Sequence, residues 1–439
     1  NLSSTVWNRR VVSTMTFNEM SVCSLLKYRM DDDPKNRFTA TELCEKTGLF
    51  KSQMNKILNS MENDKHIHFY GLFEDGRLIA TMKLIDFSVN LFGRMQTATG
   101  LMALGVHPLH KKKGAALEMV RFFEDYAVRC GNSVAMLLPF RMDFYRKMGY
   151  GCGSKLDEYR IPSENLPKID REDMSALRFL TSSDVEEMIR CHSAFADKNH
   201  GMAEKFEDEI RAIEEDTQSR RIGCFEDGRM TGYVSYRLVC ESDVNYTLNR
   251  MEVDELVYMD GKVLLRLLGY LRNQSDLAQT VVLRTGEPDF YHLLPSSQDI
   301  SGNYIDFGFL QTNVSAVGTM YKVVDPEVFI ASTGYRKFPA SVLTVRFIYD
   351  DELNHCTKEV CAAFTADSSG SSWRLAEKDS AADVSVRCTL STLSSLFMGS
   401  CGFSSLVRLG AITLDKPQYE EELDRLFYCR QKPWTNTDY

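Results

Sequence analysis

Lys111, Lys112 and Lys113 run directly into Gly114, Ala115 and Ala116, and an apolar-periodic segment starts at once. Those residue types at that spacing suit anion binding. A helix N-terminus presents free backbone N–H groups and the positive end of the helix dipole. Glycine and alanine let a ligand come close to that backbone, and the lysines add charge. A phosphate or pyrophosphate is the best-matched ligand. The glycine pattern is neither GxxxxGK(S/T) nor GxGxxG, so it is neither a Walker loop nor a dinucleotide fingerprint. Further on, Tyr145 stands beside Phe144 in DFYRKMGYGCG at 143–153. Its hydroxyl can act as an acid, or the ring can simply pack in a core. Between Val89 and Val106 there is no Asp or Glu, so the segment before the loop offers no carboxylate to take a proton. His107 and His110 flank Pro108, but without acidic or Cys partners they make a poor metal site.

The elements that must hold these groups follow from periodicity. Leu101 to Val106 reads as the end of a strand, stopped by Pro108. Apolar positions then recur at Leu117, Val120, Phe123, Ala127 and Cys130, close to a 3.6-residue period. That predicts a helix from about Gly114 to Cys130. The pentapeptide FEDGR occurs at 73–77 and again at 225–229, each time between apolar runs. Asp-Gly in that setting is a strong hairpin signal. Each hairpin follows a charged, helix-like stretch, at 39–64 and 183–217, and leads into a strand, a helix and another strand. In the first copy these are GRMQTATGLMALGV, the helix after Gly114, and SVAMLLP; in the second they are NRMEVDELVYM, GKVLLRLLGYLRN and QTVVLRT. A shared order of this kind predicts a duplicated α/β domain. The second copy reads YMDGKVLLRLL where the basic loop should be. It places an aspartate there and is expected to bind no anion. After about Asp325 the texture changes to strands joined by polar turns, then short helices, which predicts a third, α+β domain. The expected divisions are 1–163, 164–325 and 326–439.

Composition narrows the function further. With 26% charged and 44% hydrophobic residues over 439 positions, the chain is globular rather than disordered. Its formal net charge of -9 argues against a global grip on nucleic acid and suits a cationic substrate. No apolar run approaches ~18 residues, so no membrane span is expected. The opening NLSSTVWNRR lacks the apolar core of a secretion signal. Twelve cysteines are scattered without a CxxC pair, the pattern of reduced, mostly buried thiols in a cytoplasmic protein. Residues 38–67 resemble a helix-turn-helix. There is no separate domain's worth of sequence around them, so DNA binding stands only as an alternative.

Lys-x-x-Gly-x-Ala at 111–116, between a strand and a helix, resembles the acetyl-CoA pyrophosphate loop of GCN5-related N-acetyltransferases. Tyr145-x-x-x-Gly149-Tyr150-Gly151 is similar to a segment of the enhanced-intracellular-survival (Eis) acetyltransferases. Further similarities are DELVYMDGKVLLRLLGYL at 254–271, GTMYKVVDPEVFI at 318–330 and the final TDY. The resemblance implies two tandem acetyltransferase folds, the second degenerate, followed by a sterol-carrier-protein-like domain. It implies acetyl-CoA as cosubstrate, no metal, a small-molecule or peptide amine as acceptor, and a homo-oligomer, commonly a hexamer. Leu104, Gly105 and Val106 would pair with the pantetheine arm. Lys111, Lys112, Lys113, Gly114, Ala115, Ala116 and Leu117 would hold the pyrophosphate, with Phe140 and Arg141 on the cofactor's far side. Tyr145 would be the general acid and the terminal carboxylate of Tyr439 the general base. The alternative within this family plan is a catalytically weak CoA- or lipid-binding protein.

Overall fold

The computed structural model describes residues 66–74, 77–246, 248–368, 370–377 and 380–437. Tyr439, the Asp75-Gly76 turn and all but the end of the helix-turn-helix-like segment 38–67 lie outside the described residues.

The first unit opens with β1 (Ile67–Glu74), β2 (Arg77–Leu91) and β3 (Arg94–Val106), an antiparallel meander. Helix α1 (Ala115–Arg129) crosses over to β4 (Val134–Leu137), which pairs parallel with β3. Then come α2 (Met142–Lys147), β5 (Gly151–Cys152) and β6 (Lys155–Pro162). Helix α1 buries Ala115, Met119, Val120, Phe123 and Ala127 against the sheet. Full burial of each large side chain there is worth roughly 1.5–3 kcal/mol. The stripe begins earlier than the sequence pattern indicates: Leu117 is half-buried and Cys130 is an exposed C-cap residue.

The second unit repeats the order. It contains β7 (Leu177–Phe179), α3 (Val185–Ala196), α4 (Glu207–Glu215), β8 (Ser219–Glu226) and β9 (Arg229–Cys240). After these come β10 (Asn249–Tyr258), α5 (Gly261–Arg272) and β11 (Thr280–Thr285). The β8–β9 turn is Asp227-Gly228, both at positive φ (50° and 78°), the backbone that favours Asp-Gly there. The chain continues through β12 (Tyr304–Ile305), β13 (Phe309–Leu310), β14 (Val314–Val317) and β15 (Met320–Val323).

The two large sheets exchange strands. The first runs β1-β2-β3-β4-β15-β5 and the second β14-β6-β11-β10-β9-β8-β7. Strand β6 precedes residue 163 yet pairs with β11, and β15 precedes residue 325 yet lies between β4 and β5. The linear divisions at 163 and 325 therefore cut across the sheets. Periodicity identifies a strand but not its partner.

The third unit has α6 (Pro326–Ser332), β16 (Leu343–Asp351), β17 (Cys356–Asp367), β18 (Gly370–Leu375) and β19 (Val384–Thr389). It closes with α7 (Leu390–Phe397), α8 (Phe403–Arg408), β20 (Thr413–Leu414) and α9 (Glu420–Phe427). Its five-stranded sheet runs β18-β17-β16-β19-β20. Inward residues alternate along β16, the period-2 pattern of a half-buried strand. Phe338, Phe347, Phe364, Trp373, Phe397 and Phe427 fill the interior. The architecture is α/β in the first two units and α+β in the third.

Candidate active site

Strands β3 and β4 pair only from Thr99↔Ala135 to Leu101↔Leu137. β4 then ends while β3 runs on to Val106, so the β4-facing backbone edge of β3 is left without a strand partner over its last residues. A bulge sits there. Ala103 and Leu104 together oppose the single residue Met82 of β2, and Ala103 adopts φ 52°. Bulges re-aim a strand and interrupt its ladder. Leu104 and Val106 are half-buried and Gly105 is exposed.

The chain leaves β3 through a 3-10 turn at Pro108–His110 and enters the basic loop. Lys111, Lys112, Lys113 and Gly114 are all exposed. Gly114 is the N-cap of α1 at φ 91°, with no side-chain cap. A Cβ built there meets nothing within 4 Å. The first helical bond is Glu118 N–H to the Gly114 carbonyl at 3.0 Å. The N–H groups of Ala115, Ala116 and Leu117 therefore stand outside the helical ladder and point along the positive dipole end. His107 Nδ1 accepts from Leu109 N at 3.3 Å, and His110 Nδ1 pairs with Glu74 at 2.9 Å. Among the described residues no group of three or more His, Cys, Asp or Glu could hold a metal ion.

Tyr145 lies on α2 and is only 2% exposed. It shares one apolar cluster with Leu104, Val106, Ala115 and Leu117, so the strand end, the loop and the tyrosine converge on one core. Its ring makes edge contacts with Phe140, Phe144 and Tyr150 at centroid distances of 6.2, 5.2 and 5.9 Å. Burial pushes its pKa up to about 12. No hydrogen bond to its hydroxyl occurs among the described residues. Phe140 is 75% exposed, and Arg141 is exposed and paired with Asp143 at 2.5 Å.

The Gly-Tyr-Gly motif has a packing reason that the sequence does not reveal. A Cβ on Gly149 would come within 2.7 Å of Leu390, and one on Gly151 within 2.3 Å of Ser395. Helix α7 of the third unit lies against this segment. Ser391 donates to the Tyr150 carbonyl at 2.8 Å and Ser394 to the Gly149 carbonyl at 2.9 Å. The third unit thus braces the turn that carries Tyr145. The serine-rich LSTLSSLF was the available signal; its partner segment was not.

The C-terminal tail crosses between the first two units. Pro433 O accepts from Ser154 N at 3.1 Å, and Trp434 N donates to His200 O at 3.2 Å. A cavity of about 150 Å³ opens beside it, lined by Leu138, Ser154, Glu255, Tyr258, Trp434 and Asn436 among others. Leu138, which directly follows β4, lines it together with Gly318 and Thr319 before β15. Tyr145 does not line it. Of the ten described cysteines only Cys191, Cys224 and Cys388 are buried, so the expectation of mostly buried thiols fails; none is in a disulfide.

Family comparisons agree with this architecture. An acetyltransferase (GNAT) domain model matches residues 44–153, and another acetyltransferase (GNAT) domain model matches 201–307. A sterol carrier protein domain model matches 334–436. Among solved structures, the chain is similar to a probable N-acyltransferase from Enterococcus faecalis (TM-score 0.70, 16% identity, 97% of this chain and 98% of that one). It is similar to Eis1 from Mycobacterium abscessus (TM-score 0.67, 19% identity, 84% and 90%). It is also similar to a GCN5-related N-acetyltransferase from Kribbella flavida (TM-score 0.66, 16% identity, 97% of each). No curated protein matches at a significant level. The chain carries two GNAT acetyltransferase domains followed by a sterol carrier protein domain, and its fold is similar to that of Eis1. It is an acyltransferase enzyme, and domains of this class take acetyl-CoA.

Proposed function

We propose that the protein transfers the acetyl group of acetyl-CoA to a primary amine of a cationic substrate: an aminoglycoside, a polyamine or a lysine-type amine. The carrying observation is the uncapped start of α1, where three N–H donors and three lysines face open space beside the unpaired end of β3. Leu104, Gly105 and Val106 would pair with the pantetheine arm. Residues 111–117 would hold the pyrophosphate, and Phe140 and Arg141 would flank the cofactor. The cavity beside the tail would admit the amine, and the net charge of -9 favours a cationic one.

In this reading the amine nitrogen attacks the thioester carbonyl carbon, and the C–S bond of the tetrahedral adduct then breaks. The ammonium must lose a proton before attack, and β3 offers no carboxylate. We assign that proton to the carboxylate of Tyr439, directly or through water. A terminal carboxylate has a reference pKa of about 3.3–3.7, so it acts by holding the cationic amine and orienting a water, or with a raised pKa. Tyr145 serves the departing thiolate. With its pKa near 12 it stays protonated at neutral pH and is a hydrogen-bond donor, while full proton transfer to a thiolate of pKa about 8.5 is uphill. Support for a homo-oligomer, with a hexamer as its form, and for a cytoplasmic location comes from the family plan and the scattered thiols.

The test is an acetylation screen over an amine panel with product mass analysis. Adding a few residues after Tyr439 is expected to lower turnover about 10²–10⁴-fold without weakening acetyl-CoA binding. Undiminished turnover by the extended protein removes the terminal carboxylate from the mechanism.

A further inference from the structure

The second domain keeps a bulge at the place equivalent to that in β3. Val253 pairs with Tyr236 and Glu255 with Ser235, so Asp254 is the extra residue of β10. In the first domain this position bares backbone beside the open loop. In the second it presents Glu255, a carboxylate only 2% exposed in its side chain. Lys205 Nζ lies 2.9 Å from Glu255 Oε1, His192 Nε2 lies 3.7 Å from the same oxygen, and the Tyr233 hydroxyl donates to Oε2 at 3.0 Å. Burial alone would raise the pKa of Glu255, but Lys205 and His192, with hydrogen bonds from Lys205 and Tyr233, hold it below the usual carboxylate range. It is a paired anion and a poor base.

The remaining partner of this cluster comes from the tail. Asn436 Nδ2 donates to Glu255 Oε1 at 3.4 Å, and Asn436 Oδ1 faces His192 Nε2 at 3.3 Å. One amide therefore bridges an acceptor and an imidazole nitrogen of the second domain. The neighbouring tail residues are seated as closely. Thr435 Oγ1 accepts from Ala203 N at 3.3 Å, and the Thr437 hydroxyl donates to Ala203 O at 3.4 Å. A Cβ on Gly286 would lie 2.6 Å from the Trp434 indole, and one on Gly201, at φ 82°, 2.6 Å from Pro433. Both glycines leave room that the tail fills.

We propose that the bulged strand of the second domain has become a socket for residues 433–437, in which Glu255, through Asn436, is the positioning residue that fixes the course of this tail. The consequence for catalysis rests on the reading of the Tyr439 carboxylate as the base. The chemistry is that of a buried hydrogen bond to a charged group, which is costly to leave unmade. Asn436 is the one amide that meets Glu255 from the tail, so the pair can be inverted without changing net charge.

Full-length Asn436→Asp, Glu255→Gln and the double variant test this. Amide exchange at 434–437 and carboxypeptidase release report the tail, and steady-state kinetics report the reaction. Asn436→Asp sets a second carboxylate against Glu255 and should raise exchange at 434–437 by about tenfold to a hundredfold, the range for losing a hydrogen bond to a charged group. The double variant restores an amide–carboxylate pair and should bring exchange and kcat back towards wild type. The KM for acetyl-CoA should stay constant across the set. Unchanged exchange in Asn436→Asp, or no rescue in the double variant, overturns the socket. A released tail with unchanged kcat leaves the socket standing and overturns the terminal carboxylate as base.

Discussion

The two acetyltransferase domains share a bulged strand leading into a helix, yet they cap that helix in opposite ways. In the first, Gly114 supplies no side chain and, among the described residues, the first-turn donors have no side-chain cap. In the second, Asp260 Oδ1 accepts from Lys262 N and Val263 N at 2.9 and 3.0 Å. A helix start is an anion site only while its donors are unspent. The second domain carries its own anion there, which stabilises α5 and blocks a phosphate by charge and by occupancy. The turn after the fourth strand differs in the same spirit. Both domains read Asp-Phe-Tyr, at 143–145 and 289–291. In the first, Tyr145 is 2% exposed and joins the core beside the loop. In the second, Phe290 is buried and Tyr291 is 41% exposed, its ring tilted against His292 at a centroid distance of 4.1 Å. The segment is an α-helix at Met142–Lys147 and a 3-10 helix at Phe290–Leu293, and a different one of the two aromatics reaches the interior in each.

The comparison can be broken most sharply at the tyrosines. Tyr145→Phe should lower kcat by about 10²–10³-fold, the usual loss for one positioned hydrogen-bond donor to developing negative charge, with acetyl-CoA affinity unchanged. Tyr291→Phe should leave kcat within about twofold, as surface changes do. Equal effects in steady-state assays on a validated amine would erase the distinction. Next in size, Gly114→Asp brings a carboxylate to the start of α1, on a backbone (φ 91°) that differs from the extended one of Asp260 (φ -157°). Acetyl-CoA affinity by calorimetry should fall about tenfold to a hundredfold, and an unaltered Kd would take the loop out of the cofactor site. Wild-type titration should show one acetyl-CoA per chain, and a second equivalent site would contradict the spent-donor account. The smallest effect is expected from Asp260→Ala. Losing the cap should cost about 0.5–2 kcal/mol of unfolding free energy in denaturant titration, with the stoichiometry still one. A second site gained in that variant would show that freeing the donors is sufficient by itself.

Much of the loop was legible beforehand because its physics is local. Small residues and lysines at a strand-to-helix junction mean free donors and positive charge whatever the rest of the chain does. The FEDGR repeat exposed the duplication for a similar reason, since a two-residue hairpin turn is written in its own sequence. Burial was less legible: Leu117 and Cys130 fit the helical period but do not face the sheet. Glu255 and Asn436, 181 residues apart, gave no signal at all, because a buried ion cluster is assembled from segments that carry no mark of one another.

By itself the sequence determined the two-copy plan with its third domain, and the exposed basic loop at the start of a helix at 111–117, all of which depend on short-range periodicity and charge. Tertiary structure alone decided the rest. It moved β6 and β15 into each other's sheets, because strand pairing depends on edges brought together and not on propensity. It set α7 against Gly149 and Gly151, where a Cβ would meet Leu390 and Ser395, and it put Gly149 at φ 91°. It also seated the tail at Glu255, because a buried carboxylate needs donors from every side and the folded chain supplied the last of them from its end.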